Sequence, residues 1–219
     1  MNKPAWFVTG TDTEVGKTFV CCALLQTLRN KGIKAVGMKP VAAGTDAAGS
    51  NDDVERLLAA SAVQAPRALV NPYLFQPAIA PHIAAAQAGV VIDIDHIVAA
   101  FVALRDMADA VLVEGVGGFC VPLGAHQDTA DLAARLGLPL ILVVGMRLGC
   151  LNHALLTQQA IGARRLKLCG WIANRIDADM PCFEENLAAL KERLAPPLLG
   201  VIPANGTPQE AAKLFTFPA

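Results

Sequence analysis

The segment Gly10–Thr18 reads GTDTEVGKT; it follows a short apolar run at Ala5–Thr9 and leads into a helical stretch at Thr18–Lys31. No other feature constrains the fold as tightly. A glycine turn lets backbone N–H groups point inward, the helix start adds the positive end of its dipole, and a lysine adds a point charge. Together these make a cradle for nucleotide phosphates. Lys17 is placed to reach the β and γ groups, and the Thr18 hydroxyl to ligate magnesium. The spacing departs from the common pattern, because five residues rather than four separate Gly10 from Gly16. A chance Gly-Lys-Thr at an ordinary turn is the plain alternative, and the strand and helix on either side argue against it.

The rest of the chain repeats the strand–helix alternation. Strands are expected at Ala35–Met38, Ala110–Val113, Leu140–Val144, Leu168–Ala173 and Leu198–Ile202. Helices are expected at Asp53–Ala62, Asp93–Met107, Asp128–Leu136, Leu151–Gly162 and Phe183–Leu194. Pro66–Gly89, with Pro66, Pro72, Pro77 and Pro81, reads as loop-rich. Such alternation predicts an α/β fold: a single P-loop domain over residues 1–219, its mostly parallel sheet covered by helices on both faces. A chain that is 54% hydrophobic and 17% charged suits that architecture, whose strands are buried on both sides. Ligands of such sheets gather at the carboxyl ends of the strands.

A net charge of −1 leaves no electrostatic footprint for nucleic acid. No basic run flanks an apolar segment, so no membrane surface is expected as a partner. The most apolar stretch, Leu132–Leu151, carries Arg135 and Arg147 and is broken by Gly137, Pro139, Gly145 and Gly149, which is not the pattern of a membrane span. The chain enters its first strand within a few residues, leaving no room for a signal peptide, and a cytoplasmic location is expected. Cys21, Cys22, Cys120, Cys150, Cys169 and Cys182 show no metal spacing and read as reduced thiols packed as small hydrophobes.

Two carboxylate regions and a second lysine complete the candidates. Glu114 ends the apolar run Ala110–Val113 and precedes Gly115-Val116-Gly117-Gly118. A carboxylate there is costly unless paired or bound to metal, and the glycines permit close approach of phosphate. A surface-turn cap is the competing reading. For Asp52 and Asp53, at a helix start, capping is the stronger reading of the residues alone. Lys39 follows the second strand and would share the rim of the sheet with Lys17, two charges suited to gathering anionic oxygens; an ordinary solvated lysine is the alternative.

In combination these segments resemble dethiobiotin synthetase. The resemblance is carried by GTDTEVGKT, MKPVAAG (Met38–Gly44), VNPYLF (Val70–Phe75), APHIAA (Ala80–Ala85), VEGVGG (Val113–Gly118), LGCLNH (Leu148–His153), GWIAN (Gly170–Asn174) and LLGVIP (Leu198–Pro203), in the family's order over almost the whole chain. It implies a cytoplasmic homodimer that joins CO2 to 7,8-diaminononanoate with MgATP, giving dethiobiotin, ADP and phosphate. A carbamate would attack the γ-phosphate to form a carbamic–phosphoric anhydride, and the second amine would then close the ureido ring. The resemblance makes Thr18, Asp53 and Glu114 the magnesium set, and Lys17, Lys39 and Thr13 the catalytic group. It assigns nucleotide contacts to Glu14, Val15, Gly16, Lys17, Thr18, Phe19, Gly115, Val116 and Gly117. Asn174, Arg175, Pro203, Ala204 and Asn205 fall at the adenine end, and Glu210 near the ribose. Thr13, Lys39 and Ala43 would face the diamine. Its carboxylate would be held across the dimer interface by the helix start at Gly149, Cys150, Leu151 and Asn152, a sound anion site.

Two departures stand out. Ala43 occupies a position where the family often has a hydroxyl, and Ala204-Asn205-Gly206 replaces larger side chains at the adenine end. A Cys150/His153 nucleophile pair would need acyl or thiol chemistry that nothing else supports, and His82 reads equally as pocket wall or as structure. Rival readings are a related amide-forming ATP-dependent synthetase, which usually carries a glutaminase partner, and a P-loop nucleotide-switch ATPase. Switch proteins usually place a lysine where this chain has Thr11-Asp12-Thr13, and many end in a basic amphipathic helix where it has Phe215–Ala219.

Overall fold

A computed structural model describes residues 3–217; the final Pro218 and Ala219 lie outside them. In chain order the elements are β1 (Ala5–Gly10), α1 (Lys17–Asn30), β2 (Ala35–Met38), β3 (Val41–Ala43), α2 (Asp52–Ala60), α3 (Arg67–Val70), β4 (Tyr73–Phe75), α4 (Pro81–Gln87), α5 (Ile94–Met107), β5 (Ala110–Glu114), α6 (Thr129–Leu136), β6 (Leu140–Gly145), α7 (Cys150–Ala163), β7 (Leu168–Asn174), α8 (Phe183–Arg193), β8 (Leu198–Ile202) and α9 (Pro208–Ala211).

Six strands form one sheet in the order β2-β5-β1-β6-β7-β8, with every pairing parallel. Parallel neighbours require helical crossovers, and these cover both faces. Alternation along each strand assigns its residues to one layer or the other. Phe7, Val36, Met38, Val111 and Val113 pack beneath α5 and α6, whereas Trp6, Val8, Ala110 and Leu112 pack against α1. Leu142, Val144, Trp171 and Ala173 form a third cluster with α7 and α8.

The same two-residue period decides where the chemistry falls. Glu114 follows Ala110 and Leu112 in phase, so its side chain points to the α1 face. Lys39 lies in phase with Ala35 and Gly37, and the β2–β5 register pairs Gly37 with Leu112 and Met38 with Val113. One step further on, Lys39 and Glu114 stand side by side at the carboxyl ends of adjacent strands, facing the start of α1.

The stretch expected as loop, Pro66–Gly89, contains α3, β4 and α4. Residues Tyr73–Phe75 pair in parallel with Val41–Ala43 to make a second, two-stranded sheet. α3 and β4 are too short for periodicity to reveal, β4 being held by its remote pairing, and α4 spans only seven residues. The cysteine reading also needs correction: Cys120 and Cys182 are exposed rather than packed, while Cys21, Cys22 and Cys150 are buried. No helix among the described residues is long and apolar enough to cross a membrane.

Candidate active site

The turn between β1 and α1 is set by Gly16, whose φ of 84° is the left-handed conformation that glycine adopts readily. A Cβ there would lie 2.2 Å from Asn174 Nδ2, so only glycine fits on two counts. Asn174, buried at the end of β7, donates from Nδ2 to the Val15 carbonyl at 2.9 Å. Its amide therefore braces the phosphate loop, a role beyond the adenine-end position expected for it. Val15 itself is buried, against Gly10 and Gly145.

The mouth of the loop opens into a cavity of about 300 Å³. Thr13, Glu14, Gly16, Lys17, Thr18, Phe19, Lys39, Ala43, Asp53, Glu114, Val116 and Gly117 all line it. Ala42, Asn51 and Arg56 line it too and were not anticipated; Arg56 lies one helical turn from Asp53, a spacing that brings it to the same face. Gly115 stays behind the wall, its N–H donating to the Val8 carbonyl at 2.9 Å.

At the floor sits a compact ionic group. Glu114 is fully buried, and its Oε1 accepts from the Thr18 hydroxyl at 2.7 Å and from the Lys39 ammonium. Lys39, only 4% exposed, also donates to Asp53 Oδ2 at 2.7 Å. Asp53 is thus an ion-pair partner rather than a helix cap. The cap of α2 is Asn51, whose side chain accepts from the Val54 N–H, leaving Asp53 free to face Lys39.

Electrostatics follow from this packing. Burial pulls the Lys17 ammonium down to about 8, with the nearby positive charge of Lys39 adding to the effect. Burial acts the same way on Lys39, but the charges and hydrogen bonds of Glu114 and Asp53 together outweigh it and hold Lys39 above the ordinary lysine range. For Asp53, burial works upward, and the attraction and hydrogen bond of Lys39 lead the opposing effects that hold its carboxyl below the usual value. Lys17 meanwhile rests on the Asp12 carbonyl at 2.9 Å.

A magnesium ion fits this group. Glu114 Oε2 is buried without a hydrogen-bond partner among the described residues, and an unsatisfied buried carboxylate oxygen is costly unless a cation or donor meets it. No cluster of three or more histidine, cysteine or acidic side chains among the described residues forms a metal cage. The donor set of a hydroxyl and two carboxylates suits an ion that takes its remaining ligands from phosphate and water.

A second cavity, about 290 Å³, is lined by Phe19, Asn174, Arg175, Pro203, Ala204 and Asn205 among others, so Phe19 borders both. The Arg175 guanidinium turns toward the Phe183 ring and the Ala178 carbonyl. Glu210 lines neither cavity: it forms a capping box with Thr207 at the start of α9. Gly149, Cys150, Leu151 and Asn152 form the start of α7, outside both cavities of their own chain and next to Leu148, which is 94% exposed. Burial raises the Cys150 thiol, opposite to what a nucleophile needs. His82 borders a different, largely apolar cavity together with Val90 and Val91.

Residues 5–211 match the AAA domain family. The chain is 57% identical over 224 residues to the ATP-dependent dethiobiotin synthetase BioD of Aromatoleum aromaticum, covering 100% of both chains. To the ATP-dependent dethiobiotin synthetase BioD of Janthinobacterium sp. it is 56% identical over 213 residues, covering 94% of this chain and 90% of the other. Among solved structures, a ParA family ATPase from Chlorobium tepidum superposes with a TM-score of 0.58 at 13% identity, over 96% of this chain and 88% of that one. The last is a likeness of fold alone.

Proposed function

The chain belongs to the ATP-dependent dethiobiotin synthetase family, and from that premise we propose how its residues divide the work. It is an ATP-dependent ligase of biotin biosynthesis that makes dethiobiotin, ADP and phosphate from 7,8-diaminononanoate, CO2 and ATP. We take residues 1–219 as one synthetase domain working in the cytoplasm.

The observation that carries the assignment is the Lys39 ammonium held between Asp53 and Glu114 in the cavity that Lys17 also lines. The reaction brings a carbamate and a transferring phosphoryl group together, and each adds negative charge to one small volume. Two lysines fixed at its wall offset that charge where it concentrates, and fixed charges need no reorganisation as the reaction proceeds. The backbone of Glu14, Val15, Gly16, Lys17 and Thr18 cradles the phosphates, with Val116 and Gly117 opposite. Thr13, Lys39 and Ala43 face the carbamate end. Because Ala43 brings no hydroxyl, backbone or water must satisfy the polar group it faces.

Thr18, Asp53 and Glu114 would hold magnesium, which when bound neutralises charge on the phosphate oxygens. Phe19, Asn174, Arg175, Pro203, Ala204 and Asn205 receive the base, and Glu210 stands on the ribose side. In a homodimer, the turn Gly149–Asn152 of one subunit takes the diamine carboxylate of the other's site. Its position outside its own chain's cavities supports that reading.

The test is direct. The protein with diaminononanoate, bicarbonate and MgATP should yield dethiobiotin by mass spectrometry, chelation should stop the reaction, and added magnesium should restore it. Lys39→Ala should lower turnover strongly with the fold intact. No product, or near-normal turnover without Lys39, would overturn the assignment.

A further inference from the structure

Asn71 has no part in the assignments above, yet it is 7% exposed and its amide nitrogen meets two backbone carbonyls. Its side-chain amide donates both hydrogens: one to the Lys39 carbonyl at 2.6 Å, the other to the Tyr73 carbonyl at 3.1 Å. The same segment grips Lys39 from its other side. The Lys39 N–H donates to the Val70 carbonyl at 2.8 Å, and the Tyr73 N–H donates to the Pro40 carbonyl at 3.1 Å.

The place explains the need. β2 ends at Met38 in the six-stranded sheet, and β3 begins at Val41 in the two-stranded one. Lys39-Pro40 is the step between sheets, where the strand ladder no longer fixes the backbone. Pro40 has no N–H to donate. The Lys39 carbonyl is buried there, and Asn71 is the side chain that satisfies it. Asn71 lines neither the phosphate cavity nor the base cavity. Whatever it does for the site, it does through the residue it holds.

We propose that Asn71 is a positioning residue for Lys39: it fixes the backbone from which the Lys39 ammonium projects between Asp53 and Glu114. The proposal rests on the catalytic reading of Lys39. A long side chain is aimed only as well as its Cα is held, and a misplacement of about 1 Å in a charge-stabilising group costs on the order of a hundredfold in rate. Without Asn71 the Lys39 carbonyl loses its donor, and the peptide between the two remaining backbone bonds, at Lys39 N–H and the Pro40 carbonyl, is free to tilt.

The experiment is a double-mutant cycle. Asn71→Ala, Lys39→Ala and the double variant are compared by kcat, by KM for MgATP and by melting temperature. In the wild-type background Asn71→Ala should lower kcat about ten- to a hundredfold while KM stays within about twofold. In the Lys39→Ala background it should lower kcat by less than about twofold, while the melting temperature falls equally in both. An equal loss of kcat in both backgrounds would make Asn71 a general structural residue and overturn the proposal, as would an unchanged kcat. Near-normal turnover of Lys39→Ala alone would instead reject the reading of Lys39, and the role of Asn71 with it. If Asn71→Ala does not fold, Asn71→Leu, which keeps the volume but removes the side-chain donor, enters the same cycle under the same criteria.

Discussion

Replacing Glu114 by glutamine tests the ionic group most sharply, because the structure sets the magnitude. Glu114 is 0% exposed and Lys39 4%, so the substitution leaves a buried ammonium with a single anionic partner. That partner, Asp53, has a side chain 42% exposed and is screened by solvent. Removing one member of a buried pair costs roughly 3–5 kcal/mol. For a chain of this length that is a fall of about 6–20 °C in melting temperature. Asp53→Asn should cost under about 1 kcal/mol, because half-exposed pairs contribute little. Lys39→Met should resemble Glu114→Gln, since it strands the buried carboxylate. The double variant Lys39→Met/Glu114→Gln should be less destabilised than the sum of the singles by about 2–3 kcal/mol. Urea unfolding without nucleotide or metal, followed by fluorescence of the fully buried Trp171, measures all four. A coupling below about 0.5 kcal/mol, or equal costs for Asp53→Asn and Glu114→Gln, would refute the argument that burial makes this pair matter.

Gly16→Ala forces a left-handed backbone conformation and drives a methyl into Asn174. We expect about 1–2 kcal/mol of backbone strain plus the loss of the Asn174–Val15 brace, read as a lower melting temperature and at least a tenfold weaker ADP affinity by calorimetry. Lys17 should make nucleotide binding proton-linked. With its ammonium pulled down to about 8, roughly half the free protein is neutral at pH 8, and bound phosphate favours the charged form. Binding should therefore take up about half a proton there, measured as a dependence of calorimetric heat on buffer ionisation enthalpy that Lys17→Met abolishes. The sign on stability follows from the same depression. Above about pH 8 the unfolded lysine holds its proton while the folded one releases it, so this residue adds stability as pH rises from about 8 toward 10.5. The buried thiols oppose it from about pH 9, where they ionise only on unfolding; Cys22, for instance, is held up at about 12. The difference between wild type and Lys17→Met isolates the lysine.

Much of the site could be read along the chain, and the reasons for the rest are specific. The phosphate loop is local: its glycines, lysine and threonine lie within nine residues, Gly10–Thr18, and act through backbone geometry that local sequence controls. Lys39 and Glu114 could be placed at the same end of the sheet. Their contact depends on β2 pairing with β5 rather than β1, a matter of strand order that no local signal carries. Asp53 looked like a cap because aspartates favour helix starts; the cap is Asn51, two residues earlier, and only the fold turns Asp53 toward Lys39. Between Pro66 and Gly89, α3 and β4 are four and three residues long and carry no period, and the seven-residue α4 makes about two turns among prolines that signal a loop. Asn71 went unremarked for a related reason: its value lies in the Lys39 carbonyl it meets, 32 residues away in sequence.

Whether Lys17 and Lys39 serve a carbamate attacking the terminal phosphate can be decided by following oxygen. With 18O-labelled bicarbonate, the diamine and unlabelled ATP, carbamate attack places a labelled oxygen between carbon and phosphorus. Ring closure by the second amine then breaks the carbon–oxygen bond and leaves that oxygen on phosphorus. One 18O should appear in the released phosphate for each dethiobiotin formed. Dethiobiotin accompanied by unlabelled phosphate would contradict carbamate attack.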